Sequence, residues 1–141
     1  MKHNNVYEHY VVMFFIMIFA GLLSTMNVWA DKLSDVRFSL NDLYMILLMT
    51  GWMFLFMGLY YRETWVFMFG AVFVIANLWA IRTQFMVTNA QYASGMIPHH
   101  SMAVLMSKQL LKNQPPTMKP FVQNIINTQE KEINYLKQHE T

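Results

Sequence analysis

There is no cysteine among the 141 residues, which excludes disulfides, thiolate metal sites and a cysteine nucleophile together. A soft metal ligand in this chain has to be methionine, and there are fourteen. Charge is scarce as well: 13% of the residues are Asp, Glu, Lys or Arg against 55% hydrophobic, the balance of a membrane protein and not of a soluble domain. Basic residues stand singly, without a Lys/Arg-rich or Gly-rich run, so the electrostatic footprint of a nucleic-acid binder is missing. Acids are scarcest where chemistry would need them. Beyond residue 82 there are Glu130, Glu132 and Glu140 alone, too few for a di-iron bundle of repeated Glu and Glu-x-x-His ligands. Neither Ser101 nor Ser107 has the His and acid of a hydrolase triad in view. The expectation is a protein that is not an enzyme.

What is present is long apolar runs. Residues 10–29, 43–61 and 65–81 contain no Asp, Glu, Lys, Arg or His, and each approaches the 20 or so residues that a helix needs to cross a bilayer core of about 30 Å. They predict three transmembrane helices within residues 1–81. Trp29, Tyr44, Tyr60, Tyr61, Trp65 and Trp79 fall at the ends of these runs, where amphipathic rings favour the headgroup layer. Ser39, with Asp42 three residues on, has the spacing of a capping box for the second span. Arg62-Glu63-Thr64 leaves room only for an antiparallel helix pair. Gly51, Gly58 and Gly70 offer places of close helix approach.

The first run also has the outline of a cleaved signal peptide, with Lys2 before it and Val28-Trp29-Ala30 before Asp31. Its length and the bulk of Trp29 weigh against cleavage. Positive charge does not orient the spans, since Lys2 and Arg62 lie on one side and Lys32, Arg37 and Arg82 on the other. If the N-terminus starts in the cytoplasm, either reading delivers the C-terminal part to the outside. Met45, Met49, Met53 and Met57 recur every fourth residue in the second span. That row drifts around the helix and has no acid or histidine beside it, so it reads as lipid or helix packing and not as an ion track.

After Ile81 polarity rises, and residues 82–141 form the second part, an extramembrane helical hairpin of about 88–113 and 117–139. Thr88 with Gln91 has capping-box spacing, and Pro98 predicts a kink or a restart. Asn113-Gln114-Pro115-Pro116 breaks the chain, and Thr117 is placed to cap the next helix. At 100° per residue, Asn89, Tyr92, Met96, His99, His100, Ala103, Ser107 and Leu110 share a face, with Met106 at its edge. The last helix has an apolar stripe of Met118, Phe121, Val122, Ile125, Ile126, Ile133 and Leu136, interrupted by Gln129 and bordered by Glu132. Folding back about Pro115-Pro116 brings Leu110 near Phe121 and His99 level with Glu132. Imidazole, thioether and carboxylate at one depth of an apolar seam are costly unless paired, and a bound cation would satisfy them.

Met96-Ile97-Pro98-His99-His100, with Gln129, Glu132 and Ile133 in the next helix, resembles the bacterial domain of unknown function 305 family over about residues 88–139. The three-span leader is similar to a membrane-anchored subgroup. The resemblance implies a ferritin-like helical bundle. Because some relatives are linked to periplasmic copper or silver handling, it also implies a protein of the bacterial cytoplasmic (inner) membrane with its C-terminal domain in the periplasm, beside metal-efflux partners. The expected ligands are Met96, His99 and His100, with Met106 and Glu132 secondary, for copper first and silver or zinc next. Asn89 and Leu136 stand where the family often has Asp and Met, and the hairpin occurs once where larger relatives carry it twice. One hairpin of about fifty residues is near the lower limit for an independent core, and Ile97, Val104, Leu105 and Leu111 lie off the histidine face. The fold expected is therefore all-α, with a homodimer completing a four-helix bundle. The competing expectation is a structural or assembly membrane protein without metal.

Overall fold

The computed structural model describes residues 4–113 and 117–140, and every regular element among them is helical. In chain order these are α1 (Asn4–Leu23), two short 3-10 turns (Met26–Trp29 and Leu33–Asp35), α2 (Leu40–Tyr61), α3 (Thr64–Thr83), α4 (Asn89–Asn113) and α5 (Lys119–Lys137). The chain divides into two compact units, one of residues up to 24 with 41–85, the other of 25–40 with those from 86 on. Three stretches are long and apolar enough to cross a membrane: Tyr7–Trp29, Leu40–Tyr61 and Thr64–Thr83. The expected breaker Gln114-Pro115-Pro116 lies outside the described residues.

In the first unit α2 and α3 form the expected hairpin. Arg62 takes a left-handed conformation at φ 59°, and the Glu63 amide donates to Gly58 O at 2.9 Å, a Schellman closure that ends α2 and turns the chain at once. Behind that turn the helices touch backbone to backbone. A Cβ at Gly58 would sit 2.5 Å from Phe67 Cα, and one at Gly70 would sit 2.6 Å from Leu55 Cα and 2.8 Å from Gly51 O. Phe14 of α1 joins the pair through Phe54 and Phe73 at 6.3 and 6.1 Å between ring centres, aromatic contacts that add to simple area burial. Thr50 and Asn77 are buried, and each returns its side-chain donor to the carbonyl four residues back, Ile46 O and Phe73 O, at 2.8 Å. That satisfies both polar groups within their own helix, as a bilayer core would require. Met45 and Met49 are exposed and Met53 and Met57 half-buried. Tyr44 is buried, and its hydroxyl donates to Phe85 O at 2.7 Å.

The second unit includes residues 25–40, which hydropathy alone groups with the membrane helices. The α-helix of the first span closes at Leu23, six residues before the expected Trp29. Asn27 accounts for this locally, since its amide oxygen accepts the Arg37 N–H at 2.9 Å and its nitrogen donates to Arg37 O at 2.6 Å. Both ends of one side chain thus replace helical partners with a turn, the habit that makes Asn a poor helix-interior residue. The segment packs on α4.

Candidate functional site

The site is built on the hairpin of α4 and α5. Thr88 caps α4, its hydroxyl accepting the Gln91 N–H at 3.3 Å. The reciprocal half of the expected box is absent, because the Gln91 side-chain oxygen instead accepts the Leu40 N–H at 2.7 Å. Helix α4 runs unbroken through Pro98, with no restart. Pro98 is fully buried, so packing holds the helix across the missing hydrogen bond. At the start of α5 the N-cap is Met118 and not Thr117, without a side-chain bond, and Pro120 lies in the first turn. There its missing N–H costs nothing.

The face of α4 turned inward is rotated from the one expected. Ala93, Ile97, Ser101 and Val104 are 2%, 0%, 0% and 1% exposed, and Ile97 and Val104 close on Ile126 and Ile133, with Leu111 and Leu136 at the margin. Aliphatic side chains take the seam because they lose nothing by leaving water, whereas imidazoles would each need a partner. The histidines are therefore placed on the flanks. Val122, Ile126 and Ile133 of the α5 stripe are buried as expected, while Met118 and Phe121 are exposed. Those two share an apolar groove with Leu110 and Met106 at the loop end of the hairpin.

The two histidines diverge, as the 100° step between neighbours dictates. His100, not His99, is level with Glu132: its Nδ1 lies 3.0 Å from Glu132 Oε2. The distance is that of an ion pair, but the alignment is not that of a hydrogen bond, and the buried Nδ1 has no other partner. Burial pushes the His100 pKa down, and the nearby His99 adds to this against the opposing pull of the Glu132 charge. A lowered pKa favours the neutral ring, which is the form that binds metals. His99 is exposed and its Nδ1 lies 3.4 Å from the sulfur of Met26, a residue of the first 3-10 turn that sequence reasoning did not include. The two rings are 6.2 Å apart. Met96 is half-buried one turn before His99. Met106 is 54% exposed and about 9 Å further along α4 than His100 at 1.5 Å per residue, in the loop-end groove. Among the described residues no group of three or more His, Asp or Glu side chains converges as a preformed metal centre. The donors present are two pairs, His100 with Glu132 and His99 with Met26. The set of one carboxylate, two imidazoles and thioethers fits a soft or borderline ion and not a hard one.

A second polar cluster fastens residues 25–40 to the hairpin. Asp35 is 2% exposed; it accepts from Lys137 Nζ at 2.5 Å and from the Ser101 hydroxyl at 2.7 Å. Ser101 in turn accepts the Asp31 N–H at 2.8 Å. Lys108 bridges Asp31 and Glu130 at 2.8 and 3.0 Å, and Arg37 pairs with Glu140 at 3.0 Å. Burial raises the Asp35 carboxyl, but the hydrogen bonds from Lys137 and Ser101 outweigh it and hold the group below its ordinary value. Hydrogen bonds that the Lys108 ammonium donates to Asp31 and Glu130 hold its pKa above the ordinary value. These partners are 22 to 103 residues apart in sequence, so no local pattern announces them.

The family described as Domain of unknown function (DUF305) matches residues 76–139. The chain is also 42% identical to uncharacterized protein L153 of Acanthamoeba polyphaga mimivirus, over a stretch covering 82% of this chain and 80% of that protein. No solved structure matches.

Proposed function

This chain belongs to the DUF305 family, and we propose that it is a multi-pass membrane protein whose extramembrane helical domain binds copper or silver, in metal handling or resistance and without catalysis. The observation that supports this best is His100. Its half-buried imidazole, with Nδ1 out of contact with water, faces a carboxylate oxygen at 3.0 Å in an alignment outside good hydrogen-bond geometry. Two electron-rich atoms so close need a proton or a cation between them. Imidazole serves both oxidation states of copper, thioether favours the monovalent ion, and a single carboxylate does not make the six-oxygen shell of a hard cation. Zinc would use the imidazoles and carboxylate but gain little from the methionines.

The test is titration of the purified full-length protein in mild detergent with monovalent copper under reducing conditions. His99→Ala/His100→Ala should weaken binding by about 10- to 100-fold or more, the range set by loss of residues that merely support a ligand. If wild type binds no tighter than this variant and carries no copper, silver or zinc when purified, the protein is a structural or assembly component and the histidines are packing residues.

On this reading the domain lies outside the cytoplasm, in a bacterium the periplasmic side of the inner membrane: if the N-terminus starts in the cytoplasm, three spans end outside. Alkaline phosphatase fused after Thr141 should be active; an inactive fusion with an active cytoplasmic reporter at the same point reverses the topology. The homodimer keeps a narrower basis than the sequence suggested. Ile97 and Val104 are already covered within one chain, so the surface left for a second copy is the groove of Met106, Leu110, Met118 and Phe121. A dimer is the expected mass in mild detergent, and Phe121→Asp should shift it to monomer. A wild-type monomer at all concentrations removes the idea.

A further inference from the structure

The contact between Met26 and His99 is poorly explained as packing. Both side chains are exposed, Met26 at 42%, so little apolar area is gained, and a thioether is a weak acceptor for an imidazole N–H. The position of Met26 is nevertheless fixed. It opens the 3-10 turn Met26–Trp29, and the next residue, Asn27, is tied by its amide to both backbone groups of Arg37 at 2.6 and 2.9 Å. The Asp31 N–H bond to Ser101 and the Asp35 bonds to Ser101 and Lys137 fasten the same segment to α4 and α5. A thioether on a locked turn is thus aimed at an exposed imidazole on a rigid helix.

The spacing suits a shared ion. With bonds of the length zinc makes to imidazole and sulfur, about 2.0 and 2.3 Å, two donors 3.4 Å apart would subtend about 105° at the metal, so the gap is of the size that one ion bridges. Further thioethers are at hand, since Met96 and Met102 each lie one turn from His99 along α4.

We infer that Met26, in the segment between the first two spans, is a metal ligand paired with His99, forming a thioether–imidazole site for a monovalent soft cation such as silver or copper. The inference rests on the metal-binding reading above and adds an element to it. A ligand set divided between α4 and residues 25–40 makes the ion a staple across the second unit. Occupancy then fixes the segment that is continuous in sequence with α1 and α2, and the site discriminates against zinc because thioether ligation favours the softer ion.

The experiment uses the full-length protein in detergent micelles, labelled with 13C at the methionine methyls, and silver nitrate as the probe. The Met26 methyl resonance, assigned through its neighbours, should shift on addition of one equivalent of silver. Met26→Leu should lower silver affinity about tenfold or more, while Met68→Leu in α3, an exposed methionine of the first unit, should leave it unchanged. An unshifted Met26 methyl together with wild-type affinity in Met26→Leu, while His99→Ala/His100→Ala still weakens binding, overturns the assignment of Met26 and leaves the metal reading standing. No silver uptake by wild type overturns both. The methyl shift is read in the unaltered protein, so a folding defect in the leucine variant does not blur the outcome.

Discussion

Gly70→Ala should be among the most damaging single-methyl changes in this protein, with Gly58→Ala beside it. At Gly70 the added carbon would stand 2.6 Å from Leu55 Cα and 2.8 Å from Gly51 O; at Gly58 it would stand 2.5 Å from Phe67 Cα. Carbon atoms pack at about 3.5–4.0 Å, and the obstacles are backbone atoms of the facing helix, which cannot rotate away. The helices must separate by roughly an ångström along their contact, and in a membrane that contact rests on close packing, because lipid tails are as apolar as the side chains. Overpacking costs about 1–3 kcal/mol and occasionally more; backbone obstruction argues for the upper end, about 3 kcal/mol. Gly21→Ala is the control. Its nearest atoms, at 2.7 and 2.9 Å, are the two γ carbons of the buried Ile46 side chain; a β-branched residue on a helix has little rotamer freedom, but side-chain atoms can still give where backbone cannot, so the loss should be smaller. Unfolding in mixed micelles of increasing denaturing detergent, followed by tryptophan fluorescence, measures the series. Equal midpoints for wild type and Gly70→Ala would show that α2 and α3 do not meet at these glycines.

Removing the Asp35 carboxylate should detach residues 25–40 from the hairpin. Asp35→Ala leaves Lys137 and the Ser101 hydroxyl without their shared acceptor at a site 2% exposed. Breaking one side of a buried pair costs about 3–5 kcal/mol, and since Lys137 is 29% exposed and can turn to water, about 3 kcal/mol is expected. Hydrogen exchange should show Asp31 to Arg37 losing protection while the α4–α5 seam keeps it. The same group sets an acid limit. Its folded-state pKa is held below the unfolded value of about 4, so its contribution is complete at neutral pH and is lost as pH falls below about 4 through the folded value. Lys108 works in the opposite sense. Its pKa is raised, so its contribution is present at neutral pH and fades only as pH rises beyond its ordinary value, near pH 10.5. Asp35→Asn should therefore flatten the acid limb of the stability profile and leave the alkaline limb in place. Parallel acid limbs for the variant and wild type would sink this account.

What the sequence determined by itself is whatever depends on neighbours along the chain. Three apolar runs, the short turn at Arg62-Glu63-Thr64, the cap at Thr88 and the α5 stripe of Val122, Ile126 and Ile133 all follow from local hydropathy, turn chemistry and a 3.6-residue period, and all appear in the structure. What tertiary structure decided is which face of α4 turns inward and what lies over it. Helical projection allowed the histidine face or the Ile97 and Val104 face; burial chose the aliphatic one, moved the Glu132 contact from His99 to His100, and left His99 for Met26. The role of residues 25–40 was hidden because their partners lie far along the chain: Arg37 meets Glu140 across 103 residues and Asp35 meets Ser101 across 66. Local periodicity carries no information about such pairings, which exist only once burial has brought the charges together and made leaving them unpaired expensive.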